Sequence, residues 1–300
     1  MQAKGYLSGF VSIVGSPNAG KSTLMNAFVG QKVAIVTNRP QTTRNRIMGV
    51  LTRPDFQIVF IDTPGIHTPK NRLGEYMVKV AYEALNEVET VLFVTDASIG
   101  IKERDEGILK QLKKAKAPVV ALINKTDIAR PERVQAMEER LAAEGFLRAV
   151  LKISAKNGDG LPELEALLCT FLVKGPQYFP DDMVTDQPER VVCAEMIREQ
   201  ALLLLKEEVP HGIGVDIEKM TVREDGVTDV WATIYCERES HKGIVIGRRG
   251  AMLKEIGTRA RAEMEWMLGT RVNLQLWVKI REDWRNSAGA LHMLGYDDKE

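Results

Sequence analysis

The chain has 300 residues, 44% of them hydrophobic and 27% charged, with a formal net charge of zero. That length suggests about two domains with real cores, and the charge balance excludes any global pull toward nucleic acid or membrane, so a basic surface must be local. Cys169, Cys193 and Cys236 are odd in number and far apart, which fits buried thiols in a reducing cytosol rather than disulfides or a metal cluster, and no apolar run reaches a membrane span or a signal-peptide core.

In chain order, a strand-like run Phe10–Val14 leads into Gly15, Ser16, Pro17, Asn18, Ala19, Gly20, Lys21 and Ser22, and a helical stretch Thr23–Phe28 leads out. This is a phosphate-binding loop of the form G-x-x-x-x-G-K-S. Its backbone N–H groups and the helix N-terminus offer partial positive charge to phosphates. Lys21 adds a point charge, and Ser22 offers a hydroxyl to Mg2+. A polar, irregular stretch follows over residues 37–44, then strands over 46–51 and 57–61. The second ends in Asp62, Thr63, Pro64 and Gly65. A helix is predicted over 73–87, a strand over 90–94, a helix over 102–114 and a strand over 118–123. That strand ends in Asn124, Lys125 and Asp127. A helix from Pro131, a strand over 149–153 ending in Ser154, Ala155 and Lys156, and a helix over 162–172 complete the first part. Near-continuous apolar strands alternating with helices predict an α/β, doubly wound, mostly parallel sheet. Ligands sit at the carboxyl ends of such strands, and each polar motif falls at one.

The chemistry of those ends is a guanine-nucleotide site. The Asp62 carboxylate reaches Mg2+, and the Gly65 N–H meets the terminal phosphate. Asp127 can accept both donors of guanine, which adenine lacks. Ala155 N–H is expected to face the guanine O6. GTP or GDP is therefore the expected ligand, held by residues 15–22 with Thr23, by 62–65, and by Asn124, Lys125, Asp127 and 154–156. These motifs resemble the translation-factor-like GTPases related to Ras. The resemblance makes residues 37–44 a first switch whose threonine joins Ser22 and Asp62 on Mg2+ when the γ-phosphate is present. Thr43 is the choice and Thr42 the alternative. Lys21, Thr43 and Gly65 are the expected catalytic groups. Ile66 stands where those enzymes carry a water-orienting glutamine, so slow intrinsic hydrolysis is expected. His67 is either a substitute base or an ordinary surface residue. Asn18 either helps hold K+ against the phosphates or merely suits a tight turn.

Residues 175–188 carry three prolines and three aspartates and read as a linker. Beyond it a helix over 190–207, strands over 214–222 and 228–236, a glycine loop between two helices, and a closing strand over 272–280 are predicted. The loop is Gly247, Arg248, Arg249 and Gly250, after Lys242, Ile244, Val245 and Ile246. A G-x-x-G loop between helices is how KH domains clamp a single-stranded backbone, and the three apolar residues suit a groove floor for unstacked bases. Helix before strands resembles the type II KH arrangement, a smaller α+β domain. The reading is thus a GTP-binding domain at 5–174, a linker at 175–188 and an RNA-binding KH domain with a C-terminal tail at 189–300.

Together the halves resemble the Era family of bacterial ribosome-assembly GTPases, over essentially the whole chain. The residues that carry this are 15–22, Gln41-Thr42-Thr43-Arg44, 62–65 and His241-Lys242-x-Ile244-Val245-Ile246-Gly247-x-x-Gly250. The resemblance implies binding to the 3′ end of small-subunit ribosomal RNA during assembly of that subunit, in a cytoplasmic protein, a monomer, that can associate peripherally with the inner membrane. An RNA-binding scaffold that holds nucleotide without turnover is the rival reading. A tRNA-modifying GTPase would need a further catalytic domain, of which the sequence shows no sign.

Overall fold

The structure is a computed structural model that describes residues 5–37, 39, 41–66, 69–85 and 88–296. The described residues divide into two compact units, one of those up to Pro69 with Gly74–Asp186, the other of Lys70–Leu73 with those from Gln187 onward.

The first unit follows the predicted alternation: β1 (Leu7–Gly15), α1 (Lys21–Val29), β2 (Ile47–Arg53), β3 (Phe56–Asp62), α2 (Arg72–Glu83), β4 (Thr90–Asp96), α3 (Glu103–Leu112), β5 (Val119–Asn124), α4 (Pro131–Ala142), β6 (Leu147–Lys152), α5 (Leu161–Cys169) and a short β7 (Val173–Lys174). The sheet order is β2-β3-β1-β4-β5-β6, with β7 beside the start of β1. Among the described residues only β2 and β7 run antiparallel to their neighbours in this sheet. Because strand side chains alternate between faces, β1, β4, β5 and β6 each feed two cores. Ile13, Phe60, Leu92 and Leu122 pack with Leu24 of α1 and Leu164 of α5. Val14, Val91, Phe93 and Ile123 pack with Ile108 of α3 and Met137 of α4. With both faces covered, the polar ends of β1, β3, β4 and β5 are where the sheet can present chemistry.

The stretch read as a linker is fastened to this unit as far as Asp186. The buried Gln57 carboxamide donates to Phe179 O (2.9 Å) and accepts from the N–H groups of Tyr178 (2.8 Å) and Phe179 (3.0 Å). Thr185 and Asp186 hydrogen-bond the Met48 backbone along the edge strand β2. Proline and aspartate exclude a central strand, yet they allow a segment that borrows its partners from an edge and a side chain.

The second unit holds α6 (Glu189–Leu204), β8 (Gly214–Val222), β9 (Thr228–Cys236), α7 (Glu239–Ile246), α8 (Ala251–Leu268), β10 (Val272–Ile280) and α9 (Ala288–Met293). Its sheet order is β10-β9-β8, with β10 parallel and β8 antiparallel to β9. Val230, Ala232 and Ile234 of β9 point into a core with Met196, Ile197, Ile256 and Met264. Two findings go beyond the sequence reading. Val245, expected on a groove floor, is fully buried in this core, while Ile244 is about half exposed. On a helix the three neighbours face different ways, so one of them must turn inward. The C-terminal tail is also anchored, by a fully buried Trp284 whose Nε1 donates to Gly212 O at 2.9 Å. Ser287 then caps α9 by accepting from Ala290 N. Cys193 and Cys236 are buried as expected, and Cys169 is partly exposed.

Candidate functional site

The phosphate loop links β1 to α1, and α1 begins at Lys21 itself. Lys21 is buried, and its Nζ donates to the backbone carbonyls of Gly15 and Ser16, both at 3.2 Å. Burial pushes its ammonium below the usual lysine range, against the opposing pull of Asp62 and Asp105. The cavity over the loop is lined by Pro17, Asn18, Lys21, Ser22, Thr43 and Lys125, among others. Asn18 is exposed at its rim with φ 64. Thr23 and Gly65 line the same cavity. A Cβ on Gly65 would lie 2.9 Å from Pro17 atoms, so only glycine lets the end of β3 come this close to the loop. Thr63 and Pro64 are buried, and the Thr63 hydroxyl holds Ile13 O at 2.9 Å. They fix the chain instead of lining the cavity.

Three oxygen groups converge beside Lys21. Ser22 Oγ donates to Asp62 Oδ2 at 2.6 Å and lies 2.9 Å from Thr43 Oγ1, which donates to the same oxygen at 3.3 Å. Asp62 is buried, and its Oδ1 accepts no hydrogen bond among the described residues. Burial raises its carboxyl above the ordinary range, although Lys21, Ser22 and Thr43 all oppose this. A buried carboxylate oxygen in want of a partner, with two hydroxyls beside it, is a hard-oxygen donor set that fits Mg2+. The structure brings Thr43 into this group and not Thr42. The Thr42 hydroxyl is 2.7 Å from Thr37 Oγ1 and donates to Arg39 O. The Asn26 carboxamide holds the start of this segment by binding the backbone of Val33 and Ala34. Ile66 turns into the core among Val14, Ala81 and Phe93. It cannot face the cavity, and His67 lies outside the described residues.

At the base end, Asn124 ties two loops together. Its Nδ2 donates to Ala19 O (2.8 Å) and its Oδ1 accepts from Ala155 N (3.0 Å). The Ala155 N–H, expected to face the base, is therefore engaged by Asn124. Asp127 is exposed and accepts from Ser154 Oγ at 2.8 Å. Lys156 is exposed on the same loop. Sequence reasoning missed two acids. Asp96, at the end of β4, pairs with Lys125 Nζ at 2.6 Å. Asp105, on α3, accepts from Ser16 Oγ at 2.5 Å. Their only sequence signal is an acid at a strand end and one in a helix's first turn.

In the second unit, α7 ends at Ile246 and α8 starts at Ala251, with the glycine loop between them. Gly247 has φ 71, and a Cβ there would sit 2.7 Å from Met252 Cβ, so this tight joint requires glycine. Arg248 and Arg249 are exposed at its tip, and Lys242 is half-buried and 3.9 Å from Glu239. No acid stands in the first turn of α8, whose N-terminal amides therefore favour an anion.

Comparison with known proteins agrees with both sites. A family described as 50S ribosome-binding GTPase matches residues 10–125, and the KH domain family matches 208–285. The GTPase Era of Ruminiclostridium cellulolyticum is 50% identical over 291 residues, covering 97% of this chain and 98% of that protein. That of Clostridioides difficile is 50% identical over 296 residues, covering 98% of this chain and 100% of that protein. The chain belongs to the Era GTPase family. Its fold is that of an Era crystal structure in complex with MgGDPNP and nucleotides 1506–1542 of 16S ribosomal RNA, with TM-score 0.93 and 40% identity over 97% of this chain and 99% of that one. A substituted Aquifex aeolicus Era bound to GDP and AlF4− matches with TM-score 0.92 and 40% identity over the same shares. This Era-family chain is thus a GTPase carrying a KH domain. The scaffold reading without turnover gives way to that family membership.

Proposed function

We propose that this chain is a GTP-driven switch whose KH unit holds the 3′ end of small-subunit ribosomal RNA and assists assembly of that subunit. The observation that carries the reading is the full-length likeness to an Era bound to both MgGDPNP and 16S RNA. The geometry of both loops supports it. Residues 5–174 are the GTP-binding domain, 175–188 its connection and 189–300 the KH domain with its tail.

Lys21 neutralises the terminal phosphates, the loop amides of residues 16–23 bind the phosphate chain, and Gly65 N–H meets the γ-phosphate. Ser22, Thr43 and Asp62 would hold Mg2+, which supplies charge neutralisation across the β and γ oxygens. The γ-phosphate would hold Thr43 in this group, and its hydrolysis would release that threonine. Asp127 reads the guanine, the Lys125 stem packs beside it, and Asn124 with 154–156 frames it. Ile66 supplies no water-orienting group, so charge stabilisation has to come from elsewhere. Asn18, at the cavity rim, offers its amide oxygen to K+ against the phosphates. Hydrolysis should then run faster in K+ than in Na+ at equal ionic strength, and Asn18→Ala should erase the difference. Equal rates in the two salts would remove this role.

Lys242, Arg248 and Arg249 meet the RNA backbone at Gly247 and Gly250, and Ile244 and Ile246 flank the bases. The protein works as a monomer in the cytoplasm with peripheral association at the inner membrane. Among the described residues no helix is long and apolar enough to cross a membrane. Crosslinking followed by mapping of the bound RNA tests the RNA reading. Crosslinks from residues 242–250 to the 3′ end of 16S ribosomal RNA are expected, and crosslinks only to other RNA would contradict it.

A further inference from the structure

Asp105 is a buried acid, 4% exposed, in the first turn of α3. Both of its oxygens are used. Oδ2 accepts from the N–H of Lys102, the residue before α3, at 2.9 Å, as the third helical residue of a capping box does. Oδ1 accepts from Ser16 Oγ at 2.5 Å, in the range of a charge-assisted O–H···O− bond. The cap alone would need one oxygen and would leave the carboxylate wet at the helix end. Instead the group is spent on the phosphate loop, 89 residues away in sequence.

Ser16 passes this restraint on. Its carbonyl accepts from Lys21 Nζ at 3.2 Å and from Ala19 N at 3.3 Å. Its neighbour Pro17 abuts Gly65. The segment 16–18 therefore lies between α3 on one side and Gly65 on the other. Gly65 is the group assigned to the terminal phosphate, whereas Gly20, Lys21 and Ser22 begin the helix.

We propose that Asp105 is a positioning residue for GTP hydrolysis. Through the Ser16 hydroxyl it fixes the part of the phosphate loop that faces the γ-phosphate. The inference rests on GTP turnover at this loop. It gives the segment 16–18 a defined place against the reacting phosphate, where small displacements are costly in rate.

The test measures single-turnover GTP hydrolysis and GDP affinity on the full chain with Ser16→Ala, Ser16→Thr, Asp105→Asn and the Ser16→Ala/Asp105→Asn double variant. Ser16→Ala and Asp105→Asn should each slow hydrolysis by about tenfold and leave GDP affinity within about twofold. The double variant should be no slower than the slower single one, because both break one contact. Ser16→Thr, which keeps the hydroxyl, should restore the rate. Rates within about twofold of wild type, losses that multiply in the double variant, or GDP affinity falling in step with rate would overturn the proposal, the last by marking the contact as merely structural. A wild-type chain that binds GDP without turning over GTP would overturn it together with the reading on which it rests.

Discussion

The two loops face opposite problems. At the phosphate loop the charged groups Lys21 and Asp62 are buried and tied to the protein. Lys21 rests on two carbonyls, Asp62 on two hydroxyls, and Ser16 on Asp105. Burial opposes the charged forms of both Lys21 and Asp62, so the unit carries an electrostatic cost that a bound phosphate and cation relieve. At the glycine loop Arg248 and Arg249 stand in solvent and the joint itself is the ordered part. One loop selects a small ligand by the convergence of buried groups. The other holds a polymer by shape and exposed charge, and its binding should fall as salt rises because phosphate contacts release counterions.

The difference makes the base reader the place of largest effect. Asp127→Asn exchanges an acceptor pair for an acceptor and a donor, which suits xanthine in place of guanine. The GTP-over-XTP preference should reverse, with a total change on the order of 10⁴, read by competition binding. RNA affinity at saturating nucleotide should not move. Unchanged preference would mean that the exposed Asp127 does not read the base.

Next in size is the glycine loop. Gly247→Asp with Gly250→Asp adds two carboxylates where phosphates approach and a Cβ where Met252 leaves no room. RNA affinity should fall about 100-fold or more in a filter-binding assay, while basal GTP hydrolysis stays near wild type. Retained RNA affinity would break the contrast between the loops.

The strands and the polar motifs at their ends were legible because each apolar run is broken by glycine or by residues no buried strand tolerates. What stayed hidden are contacts between distant residues. Nothing near Asp105 in the chain points to Ser16, and nothing in residues 175–186 points to the Gln57 carboxamide that turns a supposed tether into an attached segment. The run Ile244-Val245-Ile246 suggests one apolar floor, but a helix turns its members to different sides, and the buried Val245 cannot meet a base. Trp284 and the Ser287 cap were visible as residues, yet a short tail with no periodic pattern does not announce its docking.

That correction sharpens the comparison within the second unit. Val245→Ala should cost about 2 kcal/mol of stability, as the loss of buried methyl groups does, in denaturant unfolding of the full chain. Ile244→Ala should leave stability within about 0.5 kcal/mol and weaken RNA binding by a few-fold, roughly the worth of one exposed apolar contact. The reverse pattern would put Val245 on the RNA side after all.

The central claim is that nucleotide state at one loop governs RNA holding at the other. Its most direct test is the affinity of the full chain for the 3′-terminal segment of 16S ribosomal RNA, measured with saturating Mg2+ and either GDPNP or GDP. The account predicts at least about a fivefold difference between the two states, the lower end of ordinary coupling between sites. Equal affinities would contradict it, leaving a GTPase and an RNA clamp joined in one chain without a switch between them.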